Sequence, residues 1–237
     1  MSKMRIYGDS ILRGVTYSEE KSRYTLWTGH NLDSIAKLGI DIENHSRMGA
    51  TIAKGYDELL KSLVDCEEGT IVLLEFGGND CDYKWSEISD NPGGTFLPNT
   101  PKELFLDTYR SAIRYALSKG AQVVLCTLVP LSADKYMNWI SKGLSFENIL
   151  TWLGDKSMLY RWQEHYSAMI NSLAAEFSLP VIDLREKFLL SHRYNYLLAA
   201  DGIHPTEEGH RLVESSIFEF LTNASNGIRF DRKRLRA

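Results

Sequence analysis

The sequence predicts an α/β protein built on a parallel β-sheet with helices on both faces. Short apolar runs alternate along the chain with longer amphipathic segments, which is the pattern of a doubly wound sheet. One of these runs, residues 70–74, is continuously apolar after its first residue, as is typical of a parallel strand buried on both faces. One of the amphipathic segments, residues 100–117, carries helix-start and helix-stop residues at its two ends.

Five apolar runs are predicted to be strands. Each is short, and each is separated from the next by a segment long enough to contain a helix, which favours parallel pairing within one sheet. The predicted strands are residues 4–7, 40–44, 70–74, 122–128 and 181–184.

Helical spacing of apolar residues occurs between these runs. The predicted helices are residues 31–38, 52–64, 100–117, 157–177 and 205–222. The third has the clearest boundaries, because Thr100 stands as a candidate N-cap, Pro101 takes the first helical position, and Gly120 suits the position just after the last turn.

Composition and charge exclude several classes of protein. The chain has 237 residues, of which 43% are hydrophobic and 24% charged, so a disordered or collagen-like chain is excluded. The net charge of −4 argues against a nucleic-acid-binding face, and no apolar run approaches the roughly 20 residues that span a bilayer. We expect a single domain over residues 1–237, with loop insertions at about 82–99 and 132–156 and a basic C-terminal tail at 229–237.

The expected location is the cytoplasm. A strand-like run follows the first residues at once and leaves no room for the apolar core of a signal peptide. The three cysteines are an odd number without metal-ligand spacing, which favours free thiols in a reducing compartment. Nothing in the sequence indicates an oligomeric state.

Chemically useful residues follow the first three predicted strands and precede the last predicted helix. They are Gly8-Asp9-Ser10, residues 44–49, Gly77-Gly78-Asn79-Asp80 and Asp201-Gly202-Ile203-His204-Pro205. Since ligands bind at the carboxyl ends of strands in an open parallel sheet, we expect these segments to meet at one edge. Together they supply a hydroxyl, an imidazole, carboxylates and an amide, which is what acyl transfer requires.

These same segments, together with Gly49, resemble the four blocks of the SGNH (GDSL-type) hydrolase superfamily over residues 8–209. The resemblance implies a flavodoxin-like three-layer α/β/α sandwich with strand order 2-1-3-4-5, and ester hydrolysis as the activity. It implies Ser10 as the nucleophile, His204 as the base and Asp201 as its orienting partner. It also implies an oxyanion hole formed by the backbone N–H groups of Ser10 and Gly49 and the side-chain amide of Asn79.

The chemistry of the residues agrees with this resemblance. A serine hydroxyl becomes an effective nucleophile when a neighbouring neutral imidazole takes its proton, and a carboxylate fixes the tautomer of that imidazole. The three-residue spacing of Asp201 and His204 suits a turn that brings the carboxylate back onto the ring. Such a mechanism needs no cofactor and no metal, and its partner is a small ester substrate.

Two other classes of function remain as alternatives. A metal-dependent phosphoesterase could use the acids and His204, but the chain lacks the paired Asp-x-His and Gly-Asn-His-Asp/Glu patterns of two-metal sites and has only 6 His. A non-catalytic carbohydrate-binding domain would have no need of an aligned nucleophile, base and carboxylate. Within the same fold, lysophospholipase and thioesterase activities are further alternatives.

Aromatic residues of the two insertions are the candidates for substrate contact. Tyr83 and Trp85 follow Asn79 closely, and Trp139 lies in the second insertion, so we expect all three near the edge that carries Ser10. A cleft walled by such rings favours short acyl groups, including those of acetylated carbohydrates. Glu75 is an unexpected acid at the end of a buried run, and we expect its carboxylate to face solvent or a neighbouring donor.

Overall fold

The computed structural model describes residues 2–29, 32–67, 69–223 and 227–228. The strands in this part of the chain are β1 (Ser2–Gly8), β2 (Val15–Ser18), β3 (Arg23–Leu26), β4 (Ile40–Asn44), β5 (Ile71–Glu75), β6 (Gln122–Cys126) and β7 (Val181–Ile182). The helices are α1 (Ser10–Arg13), α2 (Asp33–Ala36), α3 (Ile52–Ser62), α4 (Trp85–Asp90), α5 (Lys102–Ser118), α6 (Ala133–Ile140), α7 (Phe146–Leu153), α8 (Ser157–Phe177), α9 (Leu184–Leu189), α10 (Tyr194–Leu197) and α11 (Glu207–Thr222). The basic tail predicted at residues 229–237 lies outside the described residues.

Five of the strands form one parallel sheet in the order β4-β1-β5-β6-β7. Counted within this sheet alone, that order is 2-1-3-4-5, so the predicted fold class and strand order are confirmed. The strands β1 and β5 lie at its centre, and the carboxyl end of β1 leads directly to Ser10.

Side chains of the central strands alternate between two apolar layers. Val72 and Leu74 of β5 pack with residues of α3, α5 and α8 on one face, whereas Ile71 and Leu73 pack with residues of α2, α9 and α11 on the other. All five residues of β5 are buried. Burial on both faces favours apolar side chains, which explains the apolar run of the first four residues, and Glu75 at the end of the strand is the exception.

The two predicted loop insertions are helical rather than irregular. The segment 82–99 contains α4, and the segment 132–156 contains α6 and α7. Their apolar side chains form a third cluster beside the main core, in which Trp85 and Ile88 of α4 meet Met137 and Ile140 of α6 and Ile149 of α7. The insertions therefore build a small helical subassembly over one end of the sheet.

A β-hairpin that the sequence analysis did not predict follows α1. Strands β2 and β3 pair antiparallel, with Val15 opposite Leu26 and Tyr17 opposite Tyr24. The turn between them includes Ser22 at a φ of 47°, in the left-handed region. Threonine and tyrosine at the facing positions suit a half-buried strand, and this composition was the available signal.

Several predicted boundaries are shorter in the structure. The strand at 181–184 ends at Ile182, because Asp183 accepts a hydrogen bond from the backbone N–H of Glu186 and begins α9. The last helix begins at Glu207 with Thr206 as its N-cap. At α5 the N-cap position falls on Pro101 instead of Thr100. Among the described residues, no helix is both long and apolar enough to cross a membrane.

Candidate active site

Ser10 lies at the first position of α1, immediately after the central strand β1. The Asp9 side chain caps this short helix, with its Oδ1 atom accepting a hydrogen bond from the Ile11 backbone N–H at 2.8 Å. Gly14 ends the helix in the left-handed conformation. The cap and the stop confine the helix to one turn, so that Ser10 is held at the carboxyl edge of the sheet.

Asp201 and His204 lie on a tight turn just before α11. The turn is closed by a bridge between Leu198 and Pro205 and by a hydrogen bond from the Ala199 N–H to the His204 carbonyl oxygen. The Asp201 Oδ1 atom accepts the backbone N–H groups of residues 203 and 204, both at 3.1 Å. The turn therefore fixes the carboxylate and the imidazole relative to each other.

Gly202 is needed at the centre of this turn for two reasons. Its φ is +77°, and a Cβ atom there would lie 2.6 Å from the Tyr136 backbone nitrogen. Its carbonyl oxygen also accepts a hydrogen bond from the Ser132 N–H. Any larger residue would push the turn away from α6 and displace Asp201 and His204.

A continuous chain of hydrogen bonds links Ser10, His204 and Asp201. The His204 Nε2 atom lies 2.8 Å from Ser10 Oγ, and its Nδ1 atom lies 2.6 Å from Asp201 Oδ2. Burial acts to raise the pKa of Asp201, but the hydrogen bonds from the His204 ring and from the backbone N–H groups of residues 203 and 204 outweigh it and hold the pKa below its ordinary value. An ionised Asp201 selects the tautomer in which Nδ1 carries hydrogen, which leaves Nε2 free to accept the serine proton.

Asn79 and Gly49, the other predicted oxyanion donors, lie on neighbouring loops. The Asn79 amide nitrogen donates to Asp9 Oδ2 at 3.0 Å and to the Ala50 carbonyl oxygen at 3.1 Å. Both amide hydrogens therefore have protein acceptors, and one must be shared with a substrate oxygen if Asn79 is to bind it. Gly49 directly precedes Ala50 at a φ of +71°. In the described part of the chain, the N–H groups of Ser10 and Gly49 have no acceptor.

An apolar cavity of about 100 Å³ opens from Ser10, Asn79 and His204 towards the helical insertions. Tyr83 and Trp85, two of the three predicted substrate-binding residues, line it. The rest of its aromatic and aliphatic wall was not predicted and includes Tyr136, Trp152, Leu159 and Trp162. Their helical spacing within α6, α7 and α8 was the available signal, but that spacing also suits core residues.

Asp82 accepts hydrogen bonds from two of the aromatic side chains in this wall. Its Oδ1 atom accepts hydrogen bonds from Trp85 Nε1 at 2.8 Å and from the Tyr136 hydroxyl at 2.6 Å. Burial raises the pKa of Asp82, and the hydrogen bonds from Tyr136 and Trp85 oppose that rise. The two donors orient the rings on either side of the cavity.

Trp139, the third predicted substrate-binding residue, does not line the cavity. Its ring packs against the β2–β3 hairpin, with its centroid 4.6 Å from that of Tyr17, and the Lys142 ammonium lies 3.7 Å from its centroid. Trp139 therefore lies outside this cavity, next to the hairpin residue Tyr24 that contacts His204, and its contact with a substrate stays a prediction.

The hairpin also brings Tyr24 to His204. The ring centroids of Tyr24 and His204 are 4.9 Å apart, and the Tyr24 ring also faces Trp139 at 6.2 Å. Burial and the nearby Asp201 carboxylate raise the pKa of the Tyr24 hydroxyl, which keeps that hydroxyl neutral. Tyr24 thus covers one side of the imidazole and shields it from water.

Residue clusters that could bind a metal were not found in the described part of the chain, where no group of three or more His, Cys, Asp or Glu side chains has suitable geometry. The acids Asp9, Asp80 and Asp201 face backbone N–H groups and polar side chains instead.

Comparison with known proteins agrees with this fold. Residues 6–212 match the model of the GDSL-like lipase/acylhydrolase family. A GDSL esterase/lipase of rice (Oryza sativa subsp. japonica) is 27% identical over 157 residues, which is 65% of this chain and 54% of the rice protein, so the chain spans about half of that relative.

Solved structures with the same fold include a lipase/acylhydrolase from Enterococcus faecalis, at 19% identity and a TM-score of 0.64 over 92% of this chain and 94% of that one. A catalytic mutant of an acetylxylan esterase from Geobacillus stearothermophilus aligns with a TM-score of 0.64, 17% identity and coverage of 92% and 93%. The sheet and the site define a three-layer α/β/α hydrolase. The chain belongs to the GDSL-like lipase/acylhydrolase family.

Proposed function

We propose that this protein is a serine esterase that hydrolyses esters of short acyl groups through an acyl-enzyme intermediate. The observation that carries the proposal is the unbroken chain of hydrogen bonds from Ser10 through His204 to Asp201 at the mouth of an apolar cavity. A nucleophile, its base and the base's orienting group in hydrogen-bond contact are the arrangement that covalent acyl transfer requires.

In the first half of the reaction, His204 Nε2 takes the Ser10 proton while Oγ attacks the ester carbonyl carbon. The imidazolium that forms is stabilised by Asp201, and it then gives the proton to the leaving alkoxide, so that the alcohol departs. In the second half, water attacks the acyl-enzyme, with His204 again as the base, and the carboxylic acid is released. Each step balances without a cofactor.

The negative charge on the carbonyl oxygen is proposed to be met by the N–H groups of Ser10 and Gly49 and by the Asn79 amide. Support comes from the first two N–H groups, which lack acceptors in the described residues, and from Asn79, which lines the cavity beside Ser10. One such donor is worth roughly 3–4 kcal/mol of transition-state stabilisation.

The size and lining of the cavity support a short acyl group. An apolar cavity of roughly 150 Å³ in another protein holds one benzene molecule, so a cavity of about 100 Å³ suits an acyl group of a few carbons. Tyr83 and Trp85 are proposed to contact this group. Trp139 lies beyond Tyr24, on the far side of His204 from the cavity, and is proposed to contact the alcohol part of the ester.

An acetylated carbohydrate is the alcohol part that we favour. The acetylxylan esterase of Geobacillus stearothermophilus shares the fold, and half-buried aromatic rings such as those of Tyr17 and Trp139 can stack on sugar rings. Lysophospholipase and thioesterase activities are the competing assignments within the family. A non-catalytic carbohydrate-binding role would leave the alignment of Ser10, His204 and Asp201 without a purpose.

We further propose that residues 1–237 act as a single domain in the cytoplasm, with no metal or cofactor and no nucleic-acid partner. Net charge of −4 and the single main sheet support this proposal.

A fluorophosphonate probe followed by peptide mapping tests the function directly. We expect covalent labelling at Ser10 and none in Ser10→Ala. A panel of nitrophenyl esters from acetyl to decanoyl, together with acetylated xylo-oligosaccharides, then measures substrate preference, with and without a chelator. No labelling of Ser10 and no hydrolysis by the folded protein would overturn the proposal, and loss of hydrolysis in chelator would favour the phosphoesterase alternative.

A further inference from the structure

Glu75 is a buried acid that the proposed mechanism does not use. It ends the central strand β5, is 1% exposed, and borders the cavity at its base. No N–H or O–H group of the described residues reaches its Oε2 atom. The expectation that its carboxylate faces solvent is therefore wrong, because helices cover both faces of the sheet at β5, whereas the backbone N–H of Asp9 is a neighbouring donor as expected.

Asp9 is the acid that lies beside it. The register of β1 and β5 pairs Gly8 with Glu75, and Asp9 is the next residue of the chain. The Asp9 carboxylate is 2% exposed and holds two donors at once, the Ile11 N–H at the start of α1 and the Asn79 amide. Asp9 therefore connects the helix that carries Ser10 to the side chain proposed to bind the oxyanion.

The carboxyl groups of Asp9 and Glu75 are buried within hydrogen-bond contact of each other. Two such groups cannot both be ionised away from water, so they must share one proton. Burial, together with the charge of Asp9, raises the pKa of Glu75 well above its ordinary value. Burial also raises the pKa of Asp9, but the Ile11 N–H, His204 and Asn79 oppose the rise. Asp9 accepts hydrogen bonds from the Ile11 N–H and the Asn79 amide, whereas Glu75 has the Asp9 backbone N–H as a donor and an Oε2 atom without a partner, so the proton resides on Glu75.

We propose that Glu75 is a positioning residue, a neutral buried acid that donates its proton to Asp9 and so fixes Asn79 and the first turn of α1 around Ser10. The proposal rests on the proposed esterase function and adds to it a residue outside the triad.

The proposal has a consequence at alkaline pH. When Glu75 loses its proton, Asp9 loses a donor and a second buried negative charge appears beside the place where the oxyanion forms. Both changes oppose catalysis. The other titratable groups that face Glu75 are Asp80, Tyr109 and Cys126, and His204 faces Asp9. Burial raises the pKa of the Tyr109 hydroxyl and of the Cys126 thiol, so both stay neutral.

The first experiment compares Glu75→Gln with Glu75→Leu. The glutamine keeps an N–H donor towards Asp9 but cannot ionise, and the leucine removes the donor. We expect Glu75→Leu to lose about tenfold or more in kcat with little change in KM, and Glu75→Gln to recover most of that loss at neutral pH. The alkaline fall in kcat/KM should move to higher pH in Glu75→Gln. Circular dichroism at each pH verifies that both variants are folded.

Asp80→Asn is the matched control, because it removes another acid of the same buried group. Burial raises the pKa of Asp80 to about 7, so its loss should alter the profile near neutral pH and leave the alkaline limb in place. A Glu75→Gln variant with the wild-type alkaline limb, or one as slow as Glu75→Leu while folded, would overturn the proposal.

Infrared difference spectroscopy tests the proton itself and does not depend on activity. At pH 8, where Asp80 is largely ionised, wild-type protein should show the C=O stretch of a protonated carboxyl group that is absent from Glu75→Gln. Absence of that band from the wild type would overturn the inference. If the band is present but the protein hydrolyses no ester, the proposed function fails and the shared proton stands.

Discussion

The His204 Nε2 atom lies 2.8 Å from Ser10 Oγ, although 194 positions separate the two residues in the chain. Ser10 is held by the Asp9 cap at the end of β1, and His204 is held by the turn that precedes α11. Each position is set by local hydrogen bonds, and packing of α11 and β1 into the same apolar cluster brings them together. The contact therefore depends on the whole fold.

The first prediction concerns this pair. Ser10→Ala removes the nucleophile and His204→Ala removes the base, so each should lower kcat/KM for ester hydrolysis by about 10³-fold or more while the fold is kept. The double variant should be little worse than either single one, because the two groups act as a unit. Steady-state kinetics and thermal unfolding of the same preparations measure both quantities.

Ser46→Ala is the matched control for Ser10→Ala. Ser46 is also a buried serine near the end of β1, and its hydroxyl has no hydrogen-bond partner in the described residues. Its replacement should leave kcat/KM within about twofold of wild type, because no partner is lost. A folded Ser10→Ala variant with half the wild-type activity would exclude the serine mechanism.

The second prediction concerns the role of Asn79, which is determined from the separate effects of its replacement on kcat and on KM. Asn79→Ala should lower kcat by about 10²-fold with little change in KM, because the amide binds an oxygen whose charge develops only in the transition state. Asn99→Ala is the control, since the Asn99 amide donates to the Asn79 backbone carbonyl and supports the same loop. If Asn79→Ala instead raised KM alone, Asn79 would be a ground-state binding residue.

Much of the fold could be predicted from the sequence because its signals are local. The apolar run of β5 and the glycine that follows α5 identified a strand and a helix end without knowledge of their neighbours. The order of the strands and the family were predicted from the residues that follow them, and both are confirmed. Local patterns succeed where burial on both faces or one backbone conformation permits few residue types.

The parts that were missed depend on long-range packing. Tyr24 is close to His204 only because the hairpin folds back over the site, and nothing in residues 15–26 indicates that direction. Glu75 reads as a misplaced charge until its neighbour in the register is known. The position of Trp139 outside the cavity could not be predicted either, because the order of segments in the chain does not show how they pack around the site.

The third prediction uses the raised pKa of Asp80. An acid whose pKa rises from 3.8 to about 7 on folding binds more protons in the native state between those values, so stability falls as the pH rises from about 4 to 7 and is constant above. The shift corresponds to at most roughly 4 kcal/mol. Asp80→Asn keeps an acceptor for the Ile52 N–H and cannot ionise. The melting temperature of the variant relative to that of wild type should therefore increase as the pH rises from about 4 to 7, and the difference should stay constant above pH 7.

Asp155→Asn provides a control of opposite sign. The N–H and hydroxyl of Ser157 hold the pKa of the exposed Asp155 below its ordinary value, so its contribution is present above about pH 4 and is lost in acid. The variant should be less stable than wild type at neutral pH, and the difference should shrink as the pH falls. If the difference in melting temperature between Asp80→Asn and wild type did not change between pH 4 and 7, the pKa of Asp80 in the folded protein would be close to its ordinary value of 3.8.

The last prediction separates the acyl side of the site from the alcohol side with two tryptophans. Trp152 lines the cavity, and its ring faces those of Tyr83 at 5.0 Å and Phe96 at 5.9 Å, whereas Trp139 packs on the hairpin outside the cavity. Trp152→Ala enlarges the cavity at the end away from Ser10. Each further methylene buried in the transition state then contributes roughly 0.8 kcal/mol of stabilisation, or about fourfold in kcat/KM. The kcat/KM for hexanoyl and octanoyl esters should therefore rise relative to that for acetyl esters.

Trp139→Ala is the matched indole deletion, because both rings are half-buried and both belong to the second insertion. It should leave the preference for acyl length unchanged and lower kcat/KM for acetylated oligosaccharides relative to nitrophenyl acetate. Since either deletion removes ring contacts, both variants should lose thermal stability, and the melting temperature cannot distinguish the two roles. The series of esters of increasing acyl length and the comparison of acetylated oligosaccharides with nitrophenyl acetate distinguish the two roles. If both variants kept the wild-type acyl-length profile, the rings would only pack the insertions together, and the limit on acyl length would have to come from elsewhere in the cavity wall.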